Sequence, residues 1–291
     1  IVVDSNSSDK TAEVAREVLN NSNLISDRWD ILSTKKSGKS HAINYAMRKV
    51  AADIIVVSDA DAIVSKGWFN KTLWWLSKED VGAISGVEKI TSHRRGFKSS
   101  YRSIADGLRI KESKIYSTPI LEGSFLAFKR ECLGDFLVNE KANADDTQIS
   151  LRNIEMGYRS VIDPDINFQS MRNADKGFTR SIRRSQGLSR ALVAKSNLIF
   201  KAPDPVAKII ILGAFSTYVI FPWSLAIFIG NSVIALSLDF GHTINWPYLS
   251  LFFIFCMLFI GSGRSLLVGA GISLIAHFQY LIGKTYSEWD P

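Results

Sequence analysis

The stretch that decides the fold is Ile54-Ile55-Val56-Val57-Ser58-Asp59-Ala60-Asp61. Its four consecutive β-branched residues predict a short strand that is buried on both faces of a parallel sheet. Side chains alternate along a strand, so we expect Asp59 and Asp61 on the same side, at the sheet edge where α/β proteins bind ligands. Two carboxylates there suit a hard divalent cation that also binds phosphate oxygens. The pair could instead solvate a strand end or cap a turn.

The segments around this stretch alternate between strand and helix. Strands are predicted at residues 1–4, 29–32, 54–58, 81–87, 124–128 and 159–162, and helices at 11–20, 40–50, 93–116 and 145–156. This alternation indicates βαβ units and therefore an α/β fold with a mostly parallel sheet flanked by helices. Because Ile1 lies inside a predicted strand, we expect the first strand and helix of the domain to precede this sequence.

One short motif resembles a phosphate-binding P-loop but does not meet its requirements. Ser37-Gly38-Lys39-Ser40 contains the Gly-Lys-Ser end of that motif, yet Ser33 stands where the motif needs its first glycine. We therefore reject the P-loop. Lys39 can still offer its ammonium group to a phosphate from the start of the following helix.

Charge is distributed unevenly along the 291 residues, and the net excess of +7 lies within the first 205 of them. A basic region can serve nucleic acid, a membrane surface or a phosphorylated substrate. No zinc-ligand spacing or RNA-binding signature is present, so no nucleic-acid partner is predicted, and the apolar C-terminal third favours membrane lipids. Cys132 and Cys256 indicate no disulfide framework and fit a reducing compartment.

Residues 178–200 have the pattern of one amphipathic helix, with apolar and basic residues on opposing arcs. The apolar arc contains Phe178, Ile182, Leu188, Leu192, Val193, Ile199 and Phe200, and the basic arc contains Arg180, Arg183, Arg184, Arg190 and Lys195. Such a helix suits the headgroup layer of an anionic membrane. The alternative is a helix that packs on the core of its own protein.

The C-terminal third is predicted to form two or three transmembrane helices. Residues 206–238 are long enough to cross a bilayer, with a kink expected at Pro222. Residues 246–283 are expected to form a helical hairpin interrupted at 261–264, and whether 266–282 spans or lies flat stays open. The predicted parts are a cytosolic domain (1–177), an interfacial segment (178–205) and a multi-pass membrane region (206–291), with Lys195, Lys201 and Lys208 placing the first part in the cytoplasm.

Four separated motifs occur in a fixed order: residues 2–11, residues 36–44, Asp59-Ala60-Asp61, and Ala144-Asp145-Asp146-Thr147. This series resembles the family 2 glycosyltransferases of the GT-A fold, and specifically their membrane-bound, synthase-like branch. The resemblance covers residues 1 to about 190. It implies a nucleotide-sugar donor, a lipid-linked or saccharide acceptor, and Mg²⁺ or Mn²⁺ as cofactor.

The resemblance also implies roles for individual residues. Asp4 matches the position that contacts the nucleotide base, and Lys39 lies in the stretch that lines the nucleotide. Asp59 and Asp61 match the pair that holds the nucleotide and the metal on its diphosphate. The general base corresponds to Asp146, with Asp145 orienting it, and one base without a covalent nucleophile implies inversion at the anomeric carbon. The plainer interpretation of Asp145-Asp146 is an acidic N-cap that opens a helix.

Two departures from the family pattern affect these expectations. The synthase motif that ends in Trp is degraded: Arg180 and Arg184 replace its Gln and Trp, while Arg183 is kept and is expected to hold the diphosphate. Loss of the Trp argues against processive polymerisation. Two other functions stay open: a metal-dependent nucleotidyltransferase, and a non-catalytic membrane scaffold with the glycosyltransferase fold.

Overall fold

The structure is a computed structural model that describes residues 1–22, 28–89, 97–170, 177–237 and 246–286. Side chains are described throughout these ranges, apart from those of 97–102, 236–237 and 246–250. The first part of the 93–116 helix prediction therefore lies outside the described residues.

The N-terminal unit alternates strand and helix as predicted. It comprises β1 (Val2–Ser5), α1 (Thr11–Asn20), β2 (Ile31–Thr34) and α2 (Lys39–Lys49), and the two strands pair in parallel. Gly38 precedes α2 with φ of 122°, a backbone conformation that residues with a Cβ rarely adopt. This turn makes Lys39 the first residue of α2, so its side chain extends from the end of the helix that faces the strand ends.

A five-stranded sheet follows in the spatial order β3-β6-β5-β7-β4. The strands are β3 (Ile54–Ser58), β4 (Ala62–Val64), β5 (Val81–Glu88), β6 (Phe125–Lys129) and β7 (Arg159–Ser170). Within this sheet only β5 and β7 pair in parallel, whereas β3–β6, β5–β6 and β4–β7 are antiparallel. The α/β fold is confirmed, but the prediction of a mostly parallel sheet is wrong for the described strands.

Strand β3 differs from its prediction in the same way. It pairs with β6 at an edge of the five-stranded sheet, and Val56 is 40% exposed. A run of β-branched residues specifies a strand, but it does not specify the direction of its neighbour or how completely its two faces are covered. The prediction of burial on both faces of a parallel sheet was therefore wrong.

Helices cover the two faces of the sheet and enclose two hydrophobic clusters. One cluster joins Ile43 and Met47 of α2 to Leu126 and Phe128 of β6 and to Ile149 of α5 (Asp145–Glu155). The other lies beneath α3 (Trp68–Leu76) and contains Leu76, Val81, Ile84, Phe125, Ala127, Val161, Ile166 and Phe168. The remaining helix of this part is α4 (Phe97–Ile115). These contacts fix α2 and α5 relative to the sheet whose strand ends carry the predicted site.

The predicted single helix at 178–200 is two helices. The first, α6 (Gly177–Ala194), ends before a turn, and the second, α7 (Leu198–Lys201), is short. On the apolar arc, Ile182 and Leu192 are buried, whereas Phe178 is 58% exposed. A continuous amphipathic stripe would bury or expose these residues together, so the simple helical-wheel prediction was wrong.

Helix α6 packs on its own protein through polar and small residues. The hydroxyls of Ser185 and Ser273 lie 2.9 Å apart, and the Ser189 hydroxyl lies 2.8 Å from His277 Nε2. Ser273 and His277 belong to α11 (Gly261–Leu281). This face of α6 is therefore covered by another helix, as the alternative interpretation expected, and contact with a membrane surface stays a prediction for its exposed side.

The first apolar segment forms one long helical rod. It consists of α8 (Pro205–Phe215), a π-helical segment (Ser216–Ile220) and α9 (Phe221–Ser237). The π-helical segment ends just before Pro222, whose ring cannot be accommodated by regular α-helical hydrogen bonding. The kink predicted at Pro222 stays a prediction, since Pro205–Ala235 forms one continuous helix. By length and composition Pro205–Ala235 can cross a membrane.

The second apolar segment forms α10 (Trp246–Met257) and α11. The break lies between Met257 and Gly261, earlier than the predicted interruption at 261–264, and the two helices are bent by 109°. Gly263 lies inside α11, and a Cβ added to it would come 2.6 Å from the Met257 carbonyl oxygen. Within the described residues one helix qualifies as a span, or two if the bent pair counts as one. The prediction of a multi-pass region is therefore not confirmed.

Candidate active site

Lys39 joins the elements that carry the predicted site residues. Its ammonium donates hydrogen bonds to Asp59 Oδ1 at 2.7 Å and to the Gly123 carbonyl oxygen at 2.5 Å, and it lies 3.6 Å from Asp145 Oδ2. The Lys39 side chain is 19% exposed. One partly buried cation therefore holds together the ends of β3 and α5 and the segment before β6.

Ser124 also holds Asp59, through two hydrogen bonds. Asp59 Oδ2 accepts a hydrogen bond from the Ser124 hydroxyl at 2.9 Å, and the Asp59 backbone N–H donates to the Ser124 carbonyl at 3.2 Å. Ser124 immediately precedes β6, which runs antiparallel to β3, so the start of β6 lies beside the end of β3. Sequence reasoning missed Ser124 because a parallel arrangement would have placed it at the opposite edge.

Asp61 lies on a turn and not on an extended strand. The Ala62 N–H donates to the Asp59 carbonyl at 3.0 Å, so the chain reverses between β3 and β4. The period-two argument for Asp59 and Asp61 therefore does not apply. Asp61 Oδ2 accepts a hydrogen bond from the Ser170 hydroxyl at 3.4 Å, at the end of β7. The two carboxylates thus follow the same strand but have different partners.

Asp145 and Asp146 open α5 after an unusual residue. Ala144 has φ of 71°, the left-handed region that residues with a Cβ rarely occupy, and this backbone turn directs the chain into the helix. No side-chain capping hydrogen bond is made at the Ala144 N-cap position. Asp146 Oδ1 accepts from the Thr147 N–H at 2.6 Å. Asp145 and Asp146 are therefore the first residues of the helix and do not occupy its N-cap position, which is Ala144.

Asp146 reaches the same place as Lys39. A Cβ added to Gly123 would lie 3.1 Å from Asp146 Oδ2 and 3.2 Å from Lys39 Nζ, so both groups border Gly123. Asp145 Oδ2 is buried without a hydrogen bond, facing the Lys39 ammonium. The structure therefore brings Lys39, Asp59, Asp145 and Asp146 together from separate parts of the sequence.

The electrostatics of this cluster distinguish Asp146. Burial, and next the Asp145 carboxylate, raise the pKa of Asp146 to about 6, while Lys39 opposes the rise. Burial lowers the pKa of Lys39, but Asp145 and Asp59 more than compensate and the net pKa is raised. Near neutral pH Lys39 is thus a cation, and Asp146 is a carboxylate that binds a proton far more readily than an ordinary aspartate.

A buried ion cluster lies directly behind Gly123, and sequence reasoning did not identify it. Arg109 of α4 contacts Glu122 at 2.5 Å and Asp106 at 3.4 Å. Glu122 also contributes to the raised pKa of Asp146. The only signal in the sequence is a glutamate placed just before a strand of apolar residues, which is too common to indicate a site.

The two remaining predicted residues lie on elements next to the cluster. Asp4 is in β1, where its Oδ1 accepts from the Ser7 N–H at 3.1 Å, and the neighbouring Ser5 hydroxyl donates to the Lys36 carbonyl at 2.9 Å. The end of β1 therefore lies beside the segment that leads into Lys39. Arg183 lies on α6, one helical turn before Gly187, whose added Cβ would come 2.8 Å from the Asn143 backbone.

Comparison with known proteins defines the class. Residues 1–137 match the family model described as glycosyl transferase family 2. Together with the α/β fold, this match assigns residues 1–137 to a family 2 glycosyltransferase domain, and it favours a glycosyltransferase over the nucleotidyltransferase alternative.

Individual relatives agree with this class. A probable glycosyltransferase, YdaM of Bacillus subtilis (strain 168), is 29% identical over 177 residues, which is 54% of this chain and 39% of that protein. The chain thus spans well under half of this relative's length. The mannosyltransferase PcManGT from Pyrobaculum calidifontis, solved with GDP-Man and Mn²⁺, is 27% identical with a TM-score of 0.79, over 96% of this chain and 76% of that one.

A more distant structure shares the fold. S. aureus TarS 1–349, solved with UDP-GlcNAc, has a TM-score of 0.53 at 15% identity, over 99% of this chain and 84% of that one. At this identity the likeness concerns the fold alone.

Proposed function

We propose that this chain is the catalytic part of a membrane-bound, inverting glycosyltransferase. It would move a sugar from a nucleoside-diphosphate sugar to a lipid-linked or polysaccharide acceptor. The observation that carries the proposal is the cluster of Lys39, Asp59, Asp145 and Asp146, assembled from three segments around Gly123. A purely structural ion pair does not require an additional half-buried aspartate whose pKa is raised to about 6.

The residues present suit a divalent cation bound together with a diphosphate. Asp59 and Asp61 offer hard carboxylate oxygens, and no larger group of three or more candidate ligands occurs among the described residues. Two carboxylates are sufficient for Mg²⁺ or Mn²⁺, because such ions complete their coordination with substrate phosphates and water. When bound, the cation would neutralise the charge that develops on the leaving diphosphate.

The base in this proposal is Asp146. Its carboxylate would take the proton from the acceptor hydroxyl as that oxygen bonds to the anomeric carbon and the bond to the diphosphate oxygen breaks. Attack from the face opposite the leaving group inverts the configuration. A pKa of about 6 keeps Asp146 mostly ionised at neutral pH and makes it a stronger base than an ordinary aspartate.

The other predicted residues would bind the donor. Asp4 would contact the base, since β1 ends next to the segment that leads into Lys39. Lys39 would fix Asp59 relative to Asp145 and set the charge near the diphosphate. Arg183 would add a second cation to the diphosphate from α6.

Attachment to a membrane is supported by the long apolar rod from Pro205 to Ala235. We place the catalytic domain on the cytoplasmic side because of Lys195, Lys201 and Lys208, which flank the start of this rod. A domain held at a bilayer surface would meet a lipid-linked acceptor without releasing it into water.

The test uses the full-length protein in membranes with radiolabelled GDP-Man or UDP-GlcNAc and Mn²⁺. Label should move to a lipid-soluble or polymeric product, and chelation should abolish the transfer. Asp146→Asn should lose activity, while Asp135→Asn, the same substitution at an exposed position, should not. Transfer by Asp146→Asn at the normal rate would remove the proposed base.

A further inference from the structure

The segment that delivers Asp145 and Asp146 to the site is held by a side chain of α2. Asn44 is 2% exposed, and its amide pairs with the backbone of Val138 in both directions. Its Nδ2 donates to the Val138 carbonyl at 2.8 Å, and its Oδ1 accepts from the Val138 N–H at 2.9 Å. Asn44 thus replaces the two hydrogen bonds that a neighbouring strand would make.

The same segment is held again at Glu140. Asn44 Nδ2 also lies 3.1 Å from Glu140 Oε1. The other carboxylate oxygen contacts Lys36 Nζ at 2.5 Å and His41 Nδ1 at 3.1 Å. Lys36 first, then Asn44 and His41, lower the pKa of Glu140 to about 2, so its charge is retained across the working pH range. Two of the three residues that contact Glu140, His41 and Asn44, lie on α2.

A further contact brings this attachment close to the base. The Ser40 hydroxyl donates to the Ala142 carbonyl at 3.4 Å. Two residues later Ala144 has φ of 71°, a left-handed conformation that residues with a Cβ rarely adopt. Such a conformation persists only where the surroundings fix it. The bonds from α2 end just before the strained residue, and Asp145 and Asp146 follow it at once.

The opposite side of the segment is bounded by α6. Gly187 approaches Asn143 so closely that an added Cβ would lie 2.8 Å from its carbonyl carbon, and Arg190 donates to the Lys141 carbonyl at 2.9 Å. Residues 138–144 are therefore confined between two helices. Helix α2 also carries Lys39. A single helix therefore fixes both Lys39 and the segment that leads to Asp146.

We propose that Asn44 is a positioning residue for the transfer reaction: its amide holds residues 138–144 in the conformation that directs Asp146 toward the acceptor. This inference rests on the proposed function for its catalytic meaning, whereas the restraint itself does not. Loss of the amide leaves the N–H and the carbonyl of Val138 buried without partners, and the segment relaxes from the strained turn. A displaced base slows the chemical step without altering donor binding.

The test measures hydrogen exchange and kinetics on the full-length protein with Asn44→Ala. Exchange of the Val138 amide should accelerate about tenfold or more, together with the peptide that covers 138–144. With GDP-Man or UDP-GlcNAc and Mn²⁺, kcat should fall by about 10²-fold while KM for the donor stays nearly constant.

The matched control is Asn153→Ala. Asn153 is 0% exposed, and its amide donates to the Ile149 carbonyl within α5, so the control removes an equally buried amide that does not bond to the segment. It should leave the exchange of 138–144 unchanged. Glu140→Gln is the milder second variant, since it keeps the shape of the side chain and removes its charge. Glu140→Gln should change the exchange rate of 138–144 and kcat in the same direction as Asn44→Ala, but by a smaller factor.

The outcomes separate the two proposals. Unchanged exchange at 138–144 in both Asn44→Ala and Glu140→Gln overturns the restraint. Faster exchange with unchanged kcat overturns the positioning role. If the wild-type protein transfers no sugar yet Asn44→Ala accelerates exchange, the proposed function fails and the restraint stands. Should Asn44→Ala not fold, Glu140→Gln decides by the same two readouts.

Discussion

The site contains two aspartate pairs that differ in backbone setting and in environment. Asp59 and Asp61 lie on a turn after an edge strand, where Asp59 is neutralised by Lys39 and Asp61 contacts Ser170. Asp145 and Asp146 open a helix from a strained residue, and Asp146 is half-buried beside a second carboxylate. Both pairs contact Lys39, yet the pKa of Asp146 is raised to about 6.

This difference shows how one side chain can take two roles. A carboxylate held by an ammonium and a hydroxyl keeps its charge and suits the binding of a cation or a nucleotide. A carboxylate pushed toward a higher pKa by burial and by its neighbour gains proton affinity and suits acid–base chemistry. Lys39 lies between the pairs and limits how far the second one is destabilised.

The largest expected effect follows from removing the proposed base, Asp146. Asp146→Asn keeps the size of the side chain and removes its basicity, so turnover should fall by roughly 10²- to 10⁴-fold. Initial rates with saturating donor in membranes measure this loss. A rate within about twofold of wild type would leave the raised pKa of Asp146 without a catalytic role.

A smaller effect is expected at the other pair. Asp61→Asn should weaken Mn²⁺-dependent donor binding at least about 10- to 100-fold, because even residues that only support a metal ligand cost that much when altered. Titration of Mn²⁺ at fixed GDP-Man measures the change. If the Mn²⁺ requirement is the same as in wild type, Asp61 is not the ligand.

The pH dependence should report Asp146 directly. Because its pKa is raised to about 6, the base becomes protonated below that pH, and kcat should fall about tenfold for each further pH unit. The profile of kcat between pH 4.5 and 8 shows this limb. A profile that stays flat down to pH 5 would assign the base to a group of lower pKa.

The smallest effect concerns stability and has the opposite sign. The folded-state pKa of Asp146, about 6, exceeds its ordinary value of 3.8, so its contribution to stability is fully present below pH 4 and is lost as the pH rises through 6. At pH 7 the ionised carboxylate therefore destabilises the fold. Asp146→Asn should raise the free energy of unfolding at pH 7 by about 1–3 kcal/mol, and a decrease would show that the carboxylate stabilises the fold.

The sequence predicted the order of elements and the site residues better than it predicted their arrangement. Motif order was sufficient to place Lys39, Asp59, Asp145 and Asp146 in one site. Motif order did not predict strand direction, because the apolar run of β3 is compatible with a parallel or an antiparallel neighbour. That error moved Ser124 to the wrong edge of the sheet. The period-two argument for Asp59 and Asp61 failed for a separate reason, the turn between β3 and β4.

The errors around α6 have a different origin. A helical wheel records which residues are apolar, but Gln186 and Ser189 are buried and Ser185 is half-buried because α11 supplies their polar partners. No local pattern encodes a partner from residues 261–281. The same holds for Asn44, whose role depends on a segment far along the chain.

The central claim is that the two aspartate pairs have separate roles, and it is tested most directly by measuring two quantities in the same two variants. Mn²⁺-dependent affinity for GDP-Man or UDP-GlcNAc and the rate of transfer should be compared for Asp146→Asn and Asp61→Asn. We expect Asp146→Asn to lose turnover with nearly unchanged nucleotide affinity, whereas Asp61→Asn should lose affinity. Loss of nucleotide affinity by Asp146→Asn in parallel with its turnover would contradict the account, because the residue would then hold the donor.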